Sequence, residues 1–205
     1  MSELALTVLL IALLWLLIVV AERVRPGVLS RRGVEVKPPL LIWRRPVTFS
    51  WARRLAGSRL AGLALDIAAI ASAICALLFY YYTGSTVVMR LSGVPASETG
   101  GLIPLIPGLT VTWRNIAYIL IAFSIAIVVH EVSHGAAAVV EGVGVRSSGL
   151  LLLAVIPGAF VEVDENEFSR ARLRSRLRIL GAGSAANLVV ALVLLPLVAS
   201  GTSGR

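Results

Sequence analysis

The sequence predicts an all-α membrane protein of about four transmembrane helices, with re-entrant or interfacial loops and a short β element beside the helix that carries its chemistry. Three observations predict this class. Of the 205 residues, 58% are hydrophobic, and the mean hydropathy is strongly positive. The apolar runs reach about 20 residues, the length that fits a hydrocarbon core of roughly 30 Å. The cationic residues cluster beside those runs, where they act as topology signals and contacts for anionic lipid. The formal net charge of +8 is explained in this way, and the basic residues are not interleaved with aromatics as a nucleic-acid surface requires. Cys75 has no intrachain partner for a disulfide and reads as a small packing residue. The whole chain, 1–205, is expected to be a single transmembrane domain in a lipid bilayer.

The first span covers residues 4–21. Its apolar run is broken only by Thr7, preceded by Glu3 and followed by Arg23 and Arg25. A secretory signal would carry its positive charge in front and end in a small-residue cleavage site, so this run reads as an uncleaved helix with its amino end outside. The stretch from Glu22 to Arg59 holds ten Lys or Arg residues against Glu22 and Glu35, which makes it cytoplasmic. Pro26, Pro38, Pro39 and Pro46 break any long helix there, and Trp43, Phe49 and Trp51 put part of it at headgroup level. It reads as a surface loop.

Residues 60–82 form the second span, rich in small residues, chiefly Ala, and ending in Tyr80, Tyr81 and Tyr82. Asp66 is costly within it; a salt bridge to Arg59, about two turns away, is the expected remedy. Thr83 to Thr112 has few charges and many Gly and Pro residues. It is expected outside, with GLIPLIPGLTVTW lying on or dipping into the membrane.

The third span, residues 115–140, starts behind Trp113 and Arg114 and carries His130-Glu131-Val132-Ser133-His134. Residues four apart share a helix face, so both imidazoles reach one metal ion with Glu131 beside it. At 1.5 Å per residue, His130 lies about 24 Å below Arg114, inside the membrane but toward the cytoplasm. Gly149 to Phe160 is too short for a dependable span and reads as a re-entrant or interfacial loop, with strand character at Phe160, Val161 and Val163. Acidic residues follow (Glu162, Asp164, Glu165, Glu167), then arginines at 170, 172, 174, 176 and 178, which would encircle a helix as a membrane-surface anchor. The fourth span, residues 179–199, opens with Gly181, Ala182, Gly183, Ser184, Ala185, Ala186 and Asn187.

The motif carries zinc hydrolase chemistry. Zinc (Zn2+) acidifies bound water toward neutral pH and polarises a carbonyl. His130 and His134 are the ligands and Glu131 the general base and then acid. Both histidines and Glu131 would be costly in hydrocarbon without a partner or metal. A catalytic site also needs a third protein ligand, and the chain has no further histidine.

VVHEVSHGAAA, GAFVEVDENEF, the arginine stretch and RILGAGSAANLVVAL, in that order, resemble the site-2 protease family of intramembrane zinc metalloproteases, particularly its archaeal branch. PLIPGLTVTW resembles the loop ahead of the catalytic helix in that family. The resemblance covers roughly the second half of the chain. It implies cleavage of membrane-anchored protein substrates within or near the bilayer, in a multi-pass cell-membrane protein whose active site faces the cytoplasmic side. His130, Glu131 and His134 match the family motif one for one. Asn187 matches the asparagine of a motif close to GPxxN, with Ser184 where proline is usual, and is thereby implied to help hold substrate. The family's third ligand is an aspartate in a later helix, and nothing after Glu167 here is acidic, so the chain is expected to be the amino-terminal portion of a longer protease. Two alternatives stay open. One is another HExxH membrane protease, of the CAAX-processing type, with Glu162 or Glu165 as third ligand. The other is a non-catalytic membrane module that binds single-span proteins or lipid.

Overall fold

A computed structural model of the chain describes residues 3–27, 29–46, 49–95, 98–99 and 111–202. It contains α1 (Glu3–Val24), β1 (Val34–Lys37), β2 (Leu40–Arg45), α2 (Ser50–Arg53), α3 (Arg59–Leu91), α4 (Trp113–Val140), β3 (Val145–Leu153), β4 (Ile156–Val163), α5 (Glu165–Arg170) and α6 (Leu173–Thr202). Arg59–Leu91, Asn115–Val140 and Leu173–Pro196 are long and apolar enough to cross a bilayer. They correspond to the second, third and fourth expected spans. The run expected to be the first span is helical as α1, and its Trp15 Nε1 donates to the Ala154 carbonyl at 3.1 Å.

α3 does not stop at Tyr82, where the sequence suggested a loop; it continues for nine more residues to Leu91. At 33 residues it is about 50 Å long, more than a bilayer core needs. The loop-like composition past Tyr82 is tolerated because hydroxyls turn back onto the helix: Ser85 Oγ donates to the Tyr82 carbonyl at 3.0 Å and Ser92 Oγ to that of Val88 at 2.9 Å. Gly93, at φ 84°, adopts the left-handed conformation just past the helix end. The membrane-dipping segment expected within GLIPLIPGLTVTW lies largely outside the described residues.

The all-α expectation needs correction, because the basic stretch ahead of α3 and the Gly149–Phe160 patch together form one antiparallel sheet of order β1-β2-β3-β4. The strand character of Phe160, Val161 and Val163 is realised in β4, which pairs with β3. β1 and β2 come from the stretch read as a surface loop. Pro38 and Pro39 occupy the turn of a hairpin in which Val34 pairs with Trp43 and Lys37 with Leu40. β2 then pairs with β3 from Leu40 against Leu153 to Arg45 against Ser148. Gly149 is required at the centre, since a Cβ there would run into the Trp43 carbonyl and the Phe160 ring.

α6 lies between α3 and α4, and glycines two residues apart face the two neighbours. A Cβ on Gly181 would fall 2.6 Å from Ala69 Cα of α3, and one on Gly183 would meet the α4 histidines. Ser72 Oγ of α3 donates to the Gly181 carbonyl at 2.6 Å, satisfying the hydroxyl at that close approach. α4 ends in a Schellman turn: Val143 N–H bonds the Ala138 carbonyl at 2.8 Å, Gly142 N–H bonds that of Val139 at 3.2 Å, and Gly142 takes φ 77°. Val143, Ala137, Ala138, Ile179 and Ala182 form the buried core, immediately below the HExxH turns.

Candidate metal centre

One helical turn brings His130 and His134 together as the spacing requires. The ring centroids are 4.6 Å apart and the two Nε2 atoms 3.0 Å apart. The far side of each ring meets α6. His134 Nδ1 lies 2.6 Å from the Ile179 carbonyl, which can only accept, so Nδ1 carries the proton and Nε2 the lone pair. His130 Nδ1 lies 3.3 Å from the Asn187 carboxamide nitrogen. Asn187, implied by resemblance alone, thus stands beside the motif.

Two glycines make these approaches possible. A Cβ on Gly183 would lie 2.7 Å from both Cδ2 and Nε2 of His130, and would also collide with His134 Nε2. Gly135 follows His134 directly, and a Cβ there would fall 2.5 Å from the Phe49 ring and 3.0 Å from Val161 Cγ1. Phe49, 6% exposed, therefore wedges the segment before α2 against the HExxH turn, while β4 packs alongside. The sequence shows Gly183 only as one of a run of small residues and gives no local sign of Phe49 reaching α4.

Glu131 Oε2 accepts the Val161 N–H at 3.1 Å, an edge-strand donor that β4 directs away from β3. The carboxylate lies where two clefts meet. One, of about 260 Å³, is lined by apolar residues such as Val128, Val132, Leu150 and Phe160. The other, of about 430 Å³, is lined by His134, Glu162, Glu165 and Phe168 as well as Glu131.

Within the acidic run, Glu162, Asp164 and Glu167 hold the sheet and α5 together, and Glu165 lines the cleft beside His134. Glu162 Oε2 accepts from Ser147 Oγ at 2.6 Å and pairs with Arg44 at 2.5 Å. The Ser147 hydroxyl, followed by the Arg44 charge, holds the Glu162 carboxyl below its ordinary range. Asp164 caps α5 by accepting from Asn166 and Glu167 N–H at 3.0 and 3.1 Å, and it also receives Arg146. The Glu167 N–H bond and Arg146 lower its pKa. Glu167 accepts the Gly144 N–H at 2.6 Å.

Asp66 is paired as its cost requires, but with Arg174 and Arg178, 108 and 112 residues away, rather than with Arg59. Arg178 Nη1 also bonds Glu141 at 2.7 Å. Arg174 and Arg178, one turn apart, thus share a face toward α3, while the Arg176 guanidinium lies over the Phe168 ring, 5.5 Å from its centroid. The arginines are divided between the ion pairs with Asp66 and Glu141 and the contact with Phe168.

The histidine pair fits a metal ion. His134, with its Nδ1 proton given to the Ile179 carbonyl, presents an Nε2 lone pair, and the His130 Nε2 atom 3.0 Å away is close enough either to hydrogen-bond to it or to share one cation with it. Among the described residues, no group of three or more His, Cys, Asp or Glu side chains is assembled around one point, so this part of the chain offers two ligands.

Comparison with known proteins agrees with this geometry. Residues 118–203 match the profile described as Peptidase family M50. An uncharacterized protein of Methanocaldococcus jannaschii is 38% identical over 144 residues, 64% of this chain and 36% of that relative. A protein of Arabidopsis thaliana described as a membrane-bound transcription factor site-2 protease homolog is 28% identical over 145 residues, 68% of this chain and 27% of its own length. The chain therefore spans well under half the length of the curated relatives it matches. No solved structure matches. The matched segment 118–203, which contains both the HExxH turns and the small-residue face of α6, is thus similar to Peptidase family M50, and one relative it resembles is described as a site-2 protease homolog.

Proposed function

We propose that the chain provides two zinc ligands and the general base of an intramembrane metalloprotease that hydrolyses peptide bonds of membrane-anchored proteins. The observation that carries this reading is the convergence of His130 and His134 Nε2, with the His134 Nδ1 proton committed to α6. Zinc held there supplies a Lewis acid and a water acidified toward neutral pH. Glu131 takes the attacking water's proton and returns it to the amine that leaves as the C–N bond breaks. Its position between an apolar and a partly acidic cleft supports a lipid-side approach for substrate and a separate approach for water. Asn187, beside His130, is placed to help hold the substrate.

In this reading the protein is multi-pass in the cell membrane, α1 is a fourth span with its amino end outside, and the histidines lie toward the cytoplasm. The basic flanks of the helices support that orientation. The third ligand comes from outside the described residues: among them no acidic side chain is assembled with the histidine pair, and Glu162 is held by Arg44 and Ser147.

Glu131→Gln in the longest natural form tests the reading. Cleavage of a single-span reporter falls by about 10²–10⁴-fold or more while zinc stays bound. Retained turnover would overturn the assignment.

A further inference from the structure

α3 and α4 both pack along α6 yet barely touch each other, and a groove of about 530 Å³ stays open between them. Ala61, Ala64 and Ala68, at three- and four-residue spacing, line it from one face of α3. Ser133 and Ala136 line it from α4, and α6 forms the floor from Ala182 to Leu192. The Ser133 hydroxyl donates to the Val129 carbonyl at 2.7 Å, so it is spent within its own helix and the wall stays apolar. The floor is about 15 Å long, which gives the groove a mean cross-section of about 35 Å². An α-helix about 10 Å across needs roughly 80 Å², more than twice as much. The space takes an extended alkyl chain and is too narrow for a further helix.

One end of the groove is overlain by α2 and the turn after it, where Trp51 and Leu55 complete the lining. The residues between and just beyond these two are cationic. Arg53, Arg54 and Arg59 are all exposed, and none forms an ion pair among the described residues. The carboxylates at this end of α3 and α4, Asp66 and Glu141, are already committed to Arg174 and Arg178. A surplus of positive charge therefore adjoins a slot of alkyl width. We propose that the groove binds one anionic phospholipid, with an acyl chain between α3 and α4 and its phosphate held by Arg53, Arg54 and Arg59. This is a defined site, distinct from the loose attraction of a basic loop to a charged bilayer, because the slot and the charges adjoin. The lipid fills the gap that α3 and α4 leave and lies against the Ser133 side of the HExxH turns. The site stands independently of the zinc reading.

The test is native mass spectrometry on the longest natural form in neutral detergent. The probes are dioleoyl phosphatidylglycerol, dioleoyl phosphatidylcholine and inorganic phosphate. One phosphatidylglycerol is expected to stay on each chain, preferred about 100-fold over phosphatidylcholine with the same acyl chains, and inorganic phosphate does not displace it. Arg53→Gln combined with Arg54→Gln brings that preference down to within about fivefold. Ala64→Phe puts a ring into the slot and removes the bound lipid. All three positions are exposed, so both variants keep the parent's unfolding midpoint. Equal retention of the two lipids would overturn the proposal, as would displacement by inorganic phosphate or undiminished phosphatidylglycerol binding in either variant. A lipid-free parent, alone or as paired chains, would also overturn it, because a protein segment or a second copy would then cover the groove.

Discussion

Two polar clusters interrupt the apolar bundle, and they are built on opposite principles. In the ion-pair knot, Arg178 bonds both oxygens of Asp66 at 2.8 Å and Glu141 at 2.7 Å, while Arg174 adds two more bonds to Asp66. Two cations face two anions, so the knot is neutral and its charges are answered from within the chain. In the histidine site, by contrast, the hydrogen bonds lie behind the imidazoles, and the Nε2 atoms are turned toward each other. The first cluster answers every charge within the chain, whereas the second leaves two ring nitrogens 3.0 Å apart facing each other. The knot fastens α6 to α3 and α4 at one end of the bundle, and α6 in turn presents Gly183 and Asn187 to the histidines. The first cluster therefore positions the second.

The contrast predicts that substitutions in the two clusters separate activity from stability. Glu131→Gln should abolish reporter cleavage, as stated above, yet leave the heat-unfolding midpoint of the chain where it was. A comparable loss of thermal stability would show that Glu131 is structural. Arg178→Gln should do the opposite. It leaves Asp66 and Glu141 short of their shared cation, lowers the unfolding midpoint by several degrees, and weakens zinc binding only through loosened packing of α6. An unchanged midpoint would contradict the fastening role.

The glycines of α6 sharpen the same comparison. Gly181→Ala and Gly183→Ala both overpack a helix interface, and each should cost about 1–3 kcal/mol. Zinc affinity should drop for Gly183→Ala and hold for Gly181→Ala, because Gly181 faces α3. Chelator competition on both variants checks this. Equal losses would mean that α6 acts as a packed unit with no metal-facing side.

The smallest effect belongs to the sheet. The Ser147 hydroxyl and Arg44 hold the folded-state pKa of Glu162 below its unfolded value. Its contribution is therefore present above the unfolded value, about 4.3, and is lost as pH falls through the lower folded value. Glu162→Gln should be less stable than the parent at neutral pH, with the gap closing in acid. Melting curves at the two pH values measure it, and a gap that widened in acid would reverse the sign.

Much of this arrangement is legible in the sequence, for physical reasons that also mark where legibility stops. Hydrophobic length exposes three helices long enough to cross a membrane, and a four-residue spacing on a helix is enough to bring His130 and His134 side by side. The extension of α3 past Tyr82 is hidden, because Thr83, Gly84 and Ser85 have loop composition and only the tertiary fold shows the hydroxyls bonding back to the helix. β1 and β2 are hidden for a different reason. Their pairing with β3 joins Leu40 to Leu153, and no local pattern reports a contact that distant. The same applies to Asp66, whose cost in a membrane is plain from sequence while its partners, Arg174 and Arg178, are not. At the candidate metal centre, the ligands were visible as a motif and Asn187 as a resemblance. What the sequence could not show was the direction in which α6 approaches, and so which group stands behind each ring.

The central claim is that His130 and His134 share one metal ion. X-ray absorption at the zinc edge on the purified chain measures this most directly. The account predicts bound zinc with two imidazole nitrogens at about 2.0–2.1 Å, lost when His134 is replaced by Ala. Zinc that persists unchanged in a chain lacking both histidines, or a parent chain that binds none, would contradict it.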